Sequence, residues 1–411
     1  MTLALAQIDL SEAEVESNLK QLETWASDLD ALMIRLAPRF KRAELRERAK
    51  EYVQGLLSAA ERKNSWQIAE QLGKPTPYGM QHLLGRAQWN ADLVRDDVQA
   101  YVNEALGDRE AVFVLDETGF LKKGDHSAGV QPQYSGTGNG IENCQVGVFL
   151  GYAAADGYTL IDRTLYLPQR WLDEPERCAQ AGIPPEAAFA TKPMLAQRLL
   201  ERAFAAGLPG RWVTGDEVYG RDARLRQWLE ARHQAYVLTT WSKENVGRDA
   251  LSMRIEELAM SWPAEEWHRL SCGTGTKGER YFDWTCMPIN SPKGCDWQHW
   301  ALVRRGIEHP EDWAYYLVFA PPGTSLQTMV QVAGRRWTIE VCFESAKGEV
   351  GLDEYEVRSW NGWYRHMTLA LLAHAFLTVT RAQAAKKGLS TVTAAQYRPP
   401  VQPSQAWAVC P

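Results

Sequence analysis

Residues 11 to 107 read as helical, and the pattern then changes. From residue 111 short continuous apolar runs take over. Ala111-Val112-Phe113-Val114-Leu115 suits a buried strand that ends at Asp116. Residues 145 to 154 and 158 to 167 predict two strands joined around Asp156-Gly157, a hairpin signal. A helix is expected over 192 to 206, a short strand over 211 to 215 ending at Asp216, a helix over 225 to 232 and a strand over 235 to 241. That order predicts a mixed α/β core. Residues 242 to 324, rich in Trp, Gly, Pro and short alternating runs, predict a β-rich insertion. Helix returns over 325 to 348 and 363 to 387, closed by Gly388. The tail from 391 carries Pro399, Pro400, Pro403 and Pro411 and predicts extended or disordered chain.

The helical part has its own punctuation. Ser11 with Glu14 fits a capping box. Ser65 fits the cap of a helix over 66 to 72 that Gly73 ends. Lys74-Pro75-Thr76-Pro77 then makes a turn into a second helix over 78 to 87. Helix, tight turn, helix is the layout of a DNA-reading helix-turn-helix, and equally of two packed helices in a bundle.

Three acids are candidates for chemistry. Asp116 and Asp216 follow short strands, and carboxylates at the C-terminal ends of buried strands face the crevice where α/β proteins place active sites. Glu340 lies within a helix, in Arg335-Arg336-Trp337-Thr338-Ile339-Glu340. An acid among Ile, Val and Trp is costly to bury unless paired or on a metal. Three such carboxylates suit two Mg2+ ions and in-line phosphoryl transfer. In a chain with 51 Asp and Glu, placement alone also fits ordinary acids. Spacing adds more: Arg336, Glu340 and Lys347 read R-(3)-E-(6)-K. One and then two helical turns separate them, so they share a face with cations for phosphate beside a carboxylate for metal.

This spacing resembles the Y-(2)-R-(3)-E-(6)-K signature of the DDE transposases of bacterial insertion sequences. The resemblance runs from about residue 80 to 380. It includes Asp116-Glu117-Thr118-Gly119-Phe120 with Lys122-Lys123-Gly124, Asn143-Cys144-Gln145-Val146-Gly147-Val148, Leu165-Tyr166-Leu167-Pro168 and Thr191-Lys192-Pro193. It continues through Asp216-Glu217-Val218-Tyr219-Gly220, Gly348-Glu349-Val350-Gly351-Leu352-Asp353 and Trp363-Tyr364-Arg365-His366. The resemblance implies an α/β protein: an RNase H-like catalytic core with a β-rich insertion and a helical N-terminal domain. The expected division is 1–107 helical and DNA-binding, 108–241 first part of the core, 242–324 insertion, 325–390 C-terminal core helices and 391–411 proline-rich tail.

It also implies a catalytic, metal-binding triad of Asp116, Asp216 and Glu340. Two Mg2+ ions are expected, with Mn2+ able to substitute. DNA is the implied partner, both terminal inverted repeats and target, with no membrane and with a homodimer forming on DNA. The implied location is the bacterial cytoplasm at the nucleoid. Arg336, Lys347, Lys122, Lys123 and Trp284 are the expected DNA contacts. Two departures stand out. The signature's Tyr position is Ala333, and the chain ends Trp407-Ala408-Val409-Cys410-Pro411 without a basic run before it. A catalytically silent DNA-binding derivative is therefore the alternative, ahead of a carboxylate-pair hydrolase such as a glycosidase.

Charge qualifies the DNA expectation. The chain has 45 Lys and Arg against 51 Asp and Glu, a net charge of −6, where nucleic-acid-binding domains are usually basic. The excess is local: the first 30 residues hold seven acids and one base. Arg35, Arg39, Lys41, Arg42, Arg46, Arg48 and Lys50 reverse the sign and read as a helix face, either solvated or bound to the terminal repeats. The 7 Cys form no C-x-x-C pair, which argues against a disulfide framework or zinc site and suits a reducing cytoplasm. No secretory signal opens the chain, and the apolar stretch over 367 to 379 is too short to span a bilayer. Glycine-rich 136–140 and 272–278 lack P-loop spacing and read as a loop near the active site and a hairpin tip. Among 17 Trp, Trp267, Trp284, Trp297 and Trp300 suit either the core or base stacking. His366 reads as a packing histidine.

Overall fold

The structure, a computed structural model, describes residues 12–136, 140–248, 251–275, 278–291 and 296–387. Ser11 of the capping box, the centre of the 136–140 loop, residues 276–277, Gly388 and the tail lie outside the described residues.

Five helices open the chain: α1 (Glu12–Leu36), α2 (Ala43–Leu56), α3 (Ser65–Gln71), α4 (Tyr78–Gly85) and α5 (Ala91–Leu106). Asn64, not Ser65, caps α3: its side chain accepts from the Trp66 and Gln67 N–H groups, both at 3.0 Å. Ser65 is the first helical residue. The basic run is not one helix face. Around Pro38 the chain tightens into a short 3-10 turn (Ala37–Arg39) between α1 and α2. Arg35 pairs with Glu104 at 2.6 Å, Arg39 with Asp97 at 2.7 Å and Lys50 with Asp30 at 2.9 Å. Much of the run therefore ties helices to one another.

The core follows as β1 (Val112–Leu121), β2 (Gln131–Ser135), β3 (Gly140–Ala153), β4 (Tyr158–Leu165), α6 (Gln169–Leu172), α7 (Pro175–Gln180) and α8 (Lys192–Ala205). It continues with β5 (Trp212–Gly215), α9 (Glu217–Gly220), α10 (Ala223–Glu230) and β6 (Ala235–Thr240). Strand order β4-β3-β1-β5-β6, with β1, β5 and β6 parallel and β3 antiparallel, is an RNase H-like arrangement. The first strand does not end at Asp116. Its antiparallel partner β3 runs alongside all of it, from Val112↔Ala153 to Leu121↔Cys144. Its parallel partner β5 covers only Val112 to Leu115.

The insertion holds β7 (Asn245–Arg248), β8 (Leu251–Arg254), α11 (Ile255–Met260), β9 (His268–Gly275), β10 (Gly278–Ile289), β11 (Gln298–Arg305) and β12 (Trp313–Ala320). It is β-rich as expected: β7 and β8 pair as a small two-stranded sheet of their own, but β9 to β12 do not form a separate sheet. Antiparallel pairing of β12 with β6 carries the core sheet onward through β11, β10 and β9. The glycine-rich segment at 272–278 is the β9–β10 hairpin end, with Gly278 opposite Gly275.

Helix returns as α12 (Leu326–Arg335), α13 (Trp337–Val350) and α14 (Trp360–Lys386). The expected single helix over 325 to 348 is thus two, joined at Arg336. Helices α13 and α14 are fixed to the sheet by rings: Phe149 meets Phe343 at 5.4 Å and Trp363 at 6.5 Å, and Phe120 meets Tyr355 at 5.7 Å. His366 is buried, bonded to the Tyr52 hydroxyl at 2.8 Å and the Gly351 carbonyl at 3.2 Å, a packing role as expected. Among the described residues no helix is long and apolar enough to cross a membrane.

Candidate active site

The two aspartates are neighbours because of strand register. Leu115 pairs with Gly215 across the parallel β1–β5 ladder, so Asp116 and Asp216 leave it side by side. Beyond Gly215 the chain turns into α9, and the Asp216 carboxylate accepts from the Val218 N–H at 2.9 Å. Gly220, last in that motif, lets α9 lie directly on β6: a Cβ there would sit 1.8 Å from the Thr239 carbonyl oxygen. Alternation along β1 sends Asp116 and Glu117 to opposite faces of the sheet. Asp116 faces Arg336, at the start of α13, while Glu117 faces α8 and α9.

Burial pushes the Asp116 carboxyl up to about 8, and the Asp216 and Glu117 charges add to this against the Glu117 N–H and Arg336. Burial and the Glu117 charge push Asp216 up to about 6. Burial and the crowding of acidic charge thus raise both carboxyls, and Arg336 offsets this only in part. A hard divalent cation would offset the rest, so the donor set fits one.

The third acid stands off. The Arg336 guanidinium donates to Glu340 Oε1 at 2.7 Å and lies 3.9 Å from Asp116 Oδ2. Burial alone would lower the Arg336 pKa, but Glu340 and Asp116 outweigh it and raise it. Among the described residues no three His, Cys, Asp or Glu side chains gather closely enough to hold a metal ion. Asp116 and Asp216 come together, and Glu340 meets them only through Arg336.

The expected cations divide. Lys347 reaches across to β1 and donates to Thr118 Oγ1 at 2.9 Å. Lys122 lies 3.5 Å above the Tyr355 ring and donates to its carbonyl at 3.2 Å. Burial pulls its ammonium down to about 8 against the Asp353 and Glu356 charges. Lys123 is exposed, and with Lys122 and Arg358 it lines a cavity of about 550 Å³. Trp284 is a correction. It is 1% exposed, packed 5.8 Å from the Tyr316 ring and 6.3 Å from Phe282, so it is core and offers no face to a base. Trp300 is buried too.

Some site residues escaped the sequence reading. The Glu117 carboxylate accepts from Lys192 Nζ at 2.5 Å and from the buried Tyr219 hydroxyl at 2.6 Å, tying both aspartate motifs to α8. Trp241, just past β6 on the same edge as the acids, is 36% exposed, with the Arg221 guanidinium 4.1 Å from its ring. A cavity of about 810 Å³ lies at the other end of the sheet, where Val112 and Trp212 begin β1 and β5, away from the acids.

The sequence profile of the family described as DDE superfamily endonuclease matches residues 35–254, more than half of the chain. The chain belongs to the DDE superfamily of endonucleases. The profile described as Transposase DDE domain matches residues 190–376. The chain is 23% identical over 309 residues to "Probable transposase for insertion sequence element IS701" of Microchaete diplosiphon, covering 74% of each. Among solved structures, a piggyBac transposase synaptic complex with hairpin DNA covers 93% of this chain and 76% of its own, at 11% identity and a TM-score of 0.45. The NurA nuclease from Sulfolobus solfataricus covers 59% of this chain and 81% of its own, at 11% identity and a TM-score of 0.25. As a DDE transposase the protein is a DNA-cutting and strand-transferring enzyme, of a superfamily that generally uses divalent metals.

The raised carboxyl of Asp116 sets a sign for this DDE transposase without metal. A carboxyl whose pKa rises on folding stabilises the native state below the ordinary carboxylate range, and that contribution is lost as pH rises through about 8. Metal-free stability is expected to fall between about pH 5 and pH 8. Asp116→Asn is expected to remove much of this fall and raise Tm at the alkaline end by at least about 2 °C. Calorimetry in chelator checks both, and an unchanged pH profile in the variant would refute the charge-crowding account.

Proposed function

We propose that this DDE transposase cuts DNA at the ends of its own insertion sequence and joins the freed 3′-OH to target DNA. The observation that carries the reading is the register that sets Asp116 beside Asp216, with Arg336 at the start of α13 linking Glu340 to Asp116. Asp116, Asp216 and Glu340 would hold two Mg2+ ions, with Mn2+ able to replace them. When bound, these ions supply Lewis-acid activation of an in-line phosphoryl transfer.

The chain's own residues do the rest. Lys347, with Lys122 and Lys123 further along β1 and its turn, supplies cations for the DNA backbone. Glu117, held by Lys192 and Tyr219, fixes the course of β1 past Asp116. Residues 1–107 would hold the terminal inverted repeats through α3 and α4, and two copies would pair two ends. The setting is the bacterial cytoplasm, at the nucleoid.

The deciding experiment incubates the full chain and Mg2+ with a plasmid carrying both ends of the element. Cuts mapping to the element ends support the reading. Binding to the ends with no cutting under any divalent metal favours the silent derivative. A phosphate contact has its own signature. Lys347→Ala is expected to weaken duplex binding across sequences and to lessen the slope of log affinity against log salt by about 1. An unchanged slope in a binding titration would remove Lys347 from the DNA surface.

A further inference from the structure

We infer that Arg336 is an internal counter-ion that keeps Glu340 from joining Asp116 and Asp216 until a DNA phosphate draws the guanidinium away, which couples metal binding to DNA binding. This rests on the proposed triad and goes beyond it, because it says when the triad assembles.

Three observations carry it. The guanidinium lies between the two carboxylates it would have to vacate, at 2.7 Å from Glu340 and 3.9 Å from Asp116. The acids on which the metal reading depends are not gathered for a metal ion, although strand register already sets Asp116 beside Asp216. Arg336 also stands at a joint. It closes α12 and opens α13: its N–H bonds back to the Ala333 carbonyl at 3.3 Å and to the Gly334 carbonyl, and the Ile339 N–H bonds the Arg336 carbonyl at 3.3 Å.

The chemistry of exchange is favourable. A guanidinium binds phosphate with the same planar fork it offers a carboxylate, so one partner can replace the other. The pair is accessible, with the Arg336 side chain 32% and the Glu340 side chain 38% exposed. While Arg336 sits between the acids, an arriving divalent cation meets a positive charge already paired to its ligands. Once a backbone phosphate takes the guanidinium, Glu340 is left without its counter-ion beside two crowded aspartates, and a cation is needed there. Linkage makes this reciprocal: DNA strengthens metal binding and metal strengthens DNA binding by one factor. Without DNA the enzyme would carry little metal, which guards the cell against a free nuclease.

The test measures Mn2+ binding by electron paramagnetic resonance on the full chain, with and without a duplex ending at an already cleaved terminal repeat. In the unmodified protein the duplex is expected to tighten Mn2+ binding by about tenfold or more. R336A is expected to bind Mn2+ tightly without DNA and to lose most of that gain. R336Q, which keeps the size and hydrogen bonding, serves if R336A does not fold. Equal Mn2+ affinity with and without duplex in the unmodified protein overturns the inference. So does K347A reproducing both changes, since the cause would then be the general field of the groove. Mn2+ binding that ignores D116N overturns the site reading itself, a failure distinct from failure of the exchange.

Discussion

Asp116→Ala, Asp216→Ala and Glu340→Ala are each expected to lower metal-dependent cleavage of a terminal-repeat duplex by about a thousandfold or more, as happens when groups act as one unit. Duplex binding measured in chelator, where metal linkage is absent, should change by no more than a few-fold. The reason lies in the register. Asp116 and Asp216 share one field, so losing either leaves the other without a partner for a divalent ion. Glu340 approaches from a different element, and its removal would free Arg336 without supplying the third oxygen donor. A double variant should be little worse than the worst single one. Full cleavage by any of the three would refute the assignment, and Asp116→Asn, with nearly native volume, separates loss of charge from loss of fold.

The parts of this arrangement that were legible in the sequence are local. The apolar runs at 111–115, 211–215 and 235–241 correspond to parallel strands, because a strand covered on both faces has no polar alternation. The continuation of β1 beyond Asp116 was hidden, since Asp-Glu-Thr-Gly breaks the apolar run and only pairing with β3 keeps it extended. The joining of the insertion to the core sheet was equally hidden. It depends on Tyr315 to Phe319 finding Thr240 to Tyr236, a long-range pairing that no window of sequence reports. Trp284 was misjudged because an alternating strand does not say which of its faces is covered. In β10 both faces are covered at this point, with Trp284 buried on one and Thr285 and Met287 buried on the other.

The triad itself was legible only through ordered motifs, since Asp116, Asp216 and Glu340 look like any of 51 acids. Spacing placed Arg336 one turn from Glu340, and the structure keeps that turn across a helix joint. Glu117 was passed over beside its neighbour, although a second acid in the middle of a buried strand calls for partners. Lys192 and Tyr219, which supply them, come from two further motifs. What read as a string of separate motifs is therefore one packed assembly, with β1 at its centre.

Asp162→Ala is the other large effect expected, a loss of about 3–5 kcal/mol of unfolding free energy, the usual result of removing one partner from a buried ion cluster. Asp162 is fully buried in β4, inside the apolar run Thr159-Leu160-Ile161 and Leu165. Burial alone would raise its carboxyl pKa, but Arg202, Arg95 and Arg163 outweigh that and hold it below its ordinary value. Arg202 Nε donates to it from α8 at 2.8 Å and Arg95 Nη1 from α5 at 3.0 Å, while the Arg163 N–H donates at 2.7 Å. One carboxylate thus joins the helical N-terminal region to the core sheet and to α8. Without it, the buried Arg95 guanidinium and the half-buried Arg202 lose the carboxylate they share. Asp162→Asn keeps the volume but presents an amide to the same donors, so it should lose nearly as much. A depressed carboxyl stabilises the native state above the ordinary carboxylate range and loses that contribution as pH falls through it. The stability gap between variant and unmodified protein, read by urea unfolding, should therefore narrow below about pH 4. A gap at neutral pH within about 0.5 kcal/mol would mean that packing alone holds α5 to β4. The functional consequence follows from the connection. If residues 1–107 grip the DNA ends while Asp116 and Asp216 cut them, loosening Asp162 should cost accuracy of cutting before it costs binding.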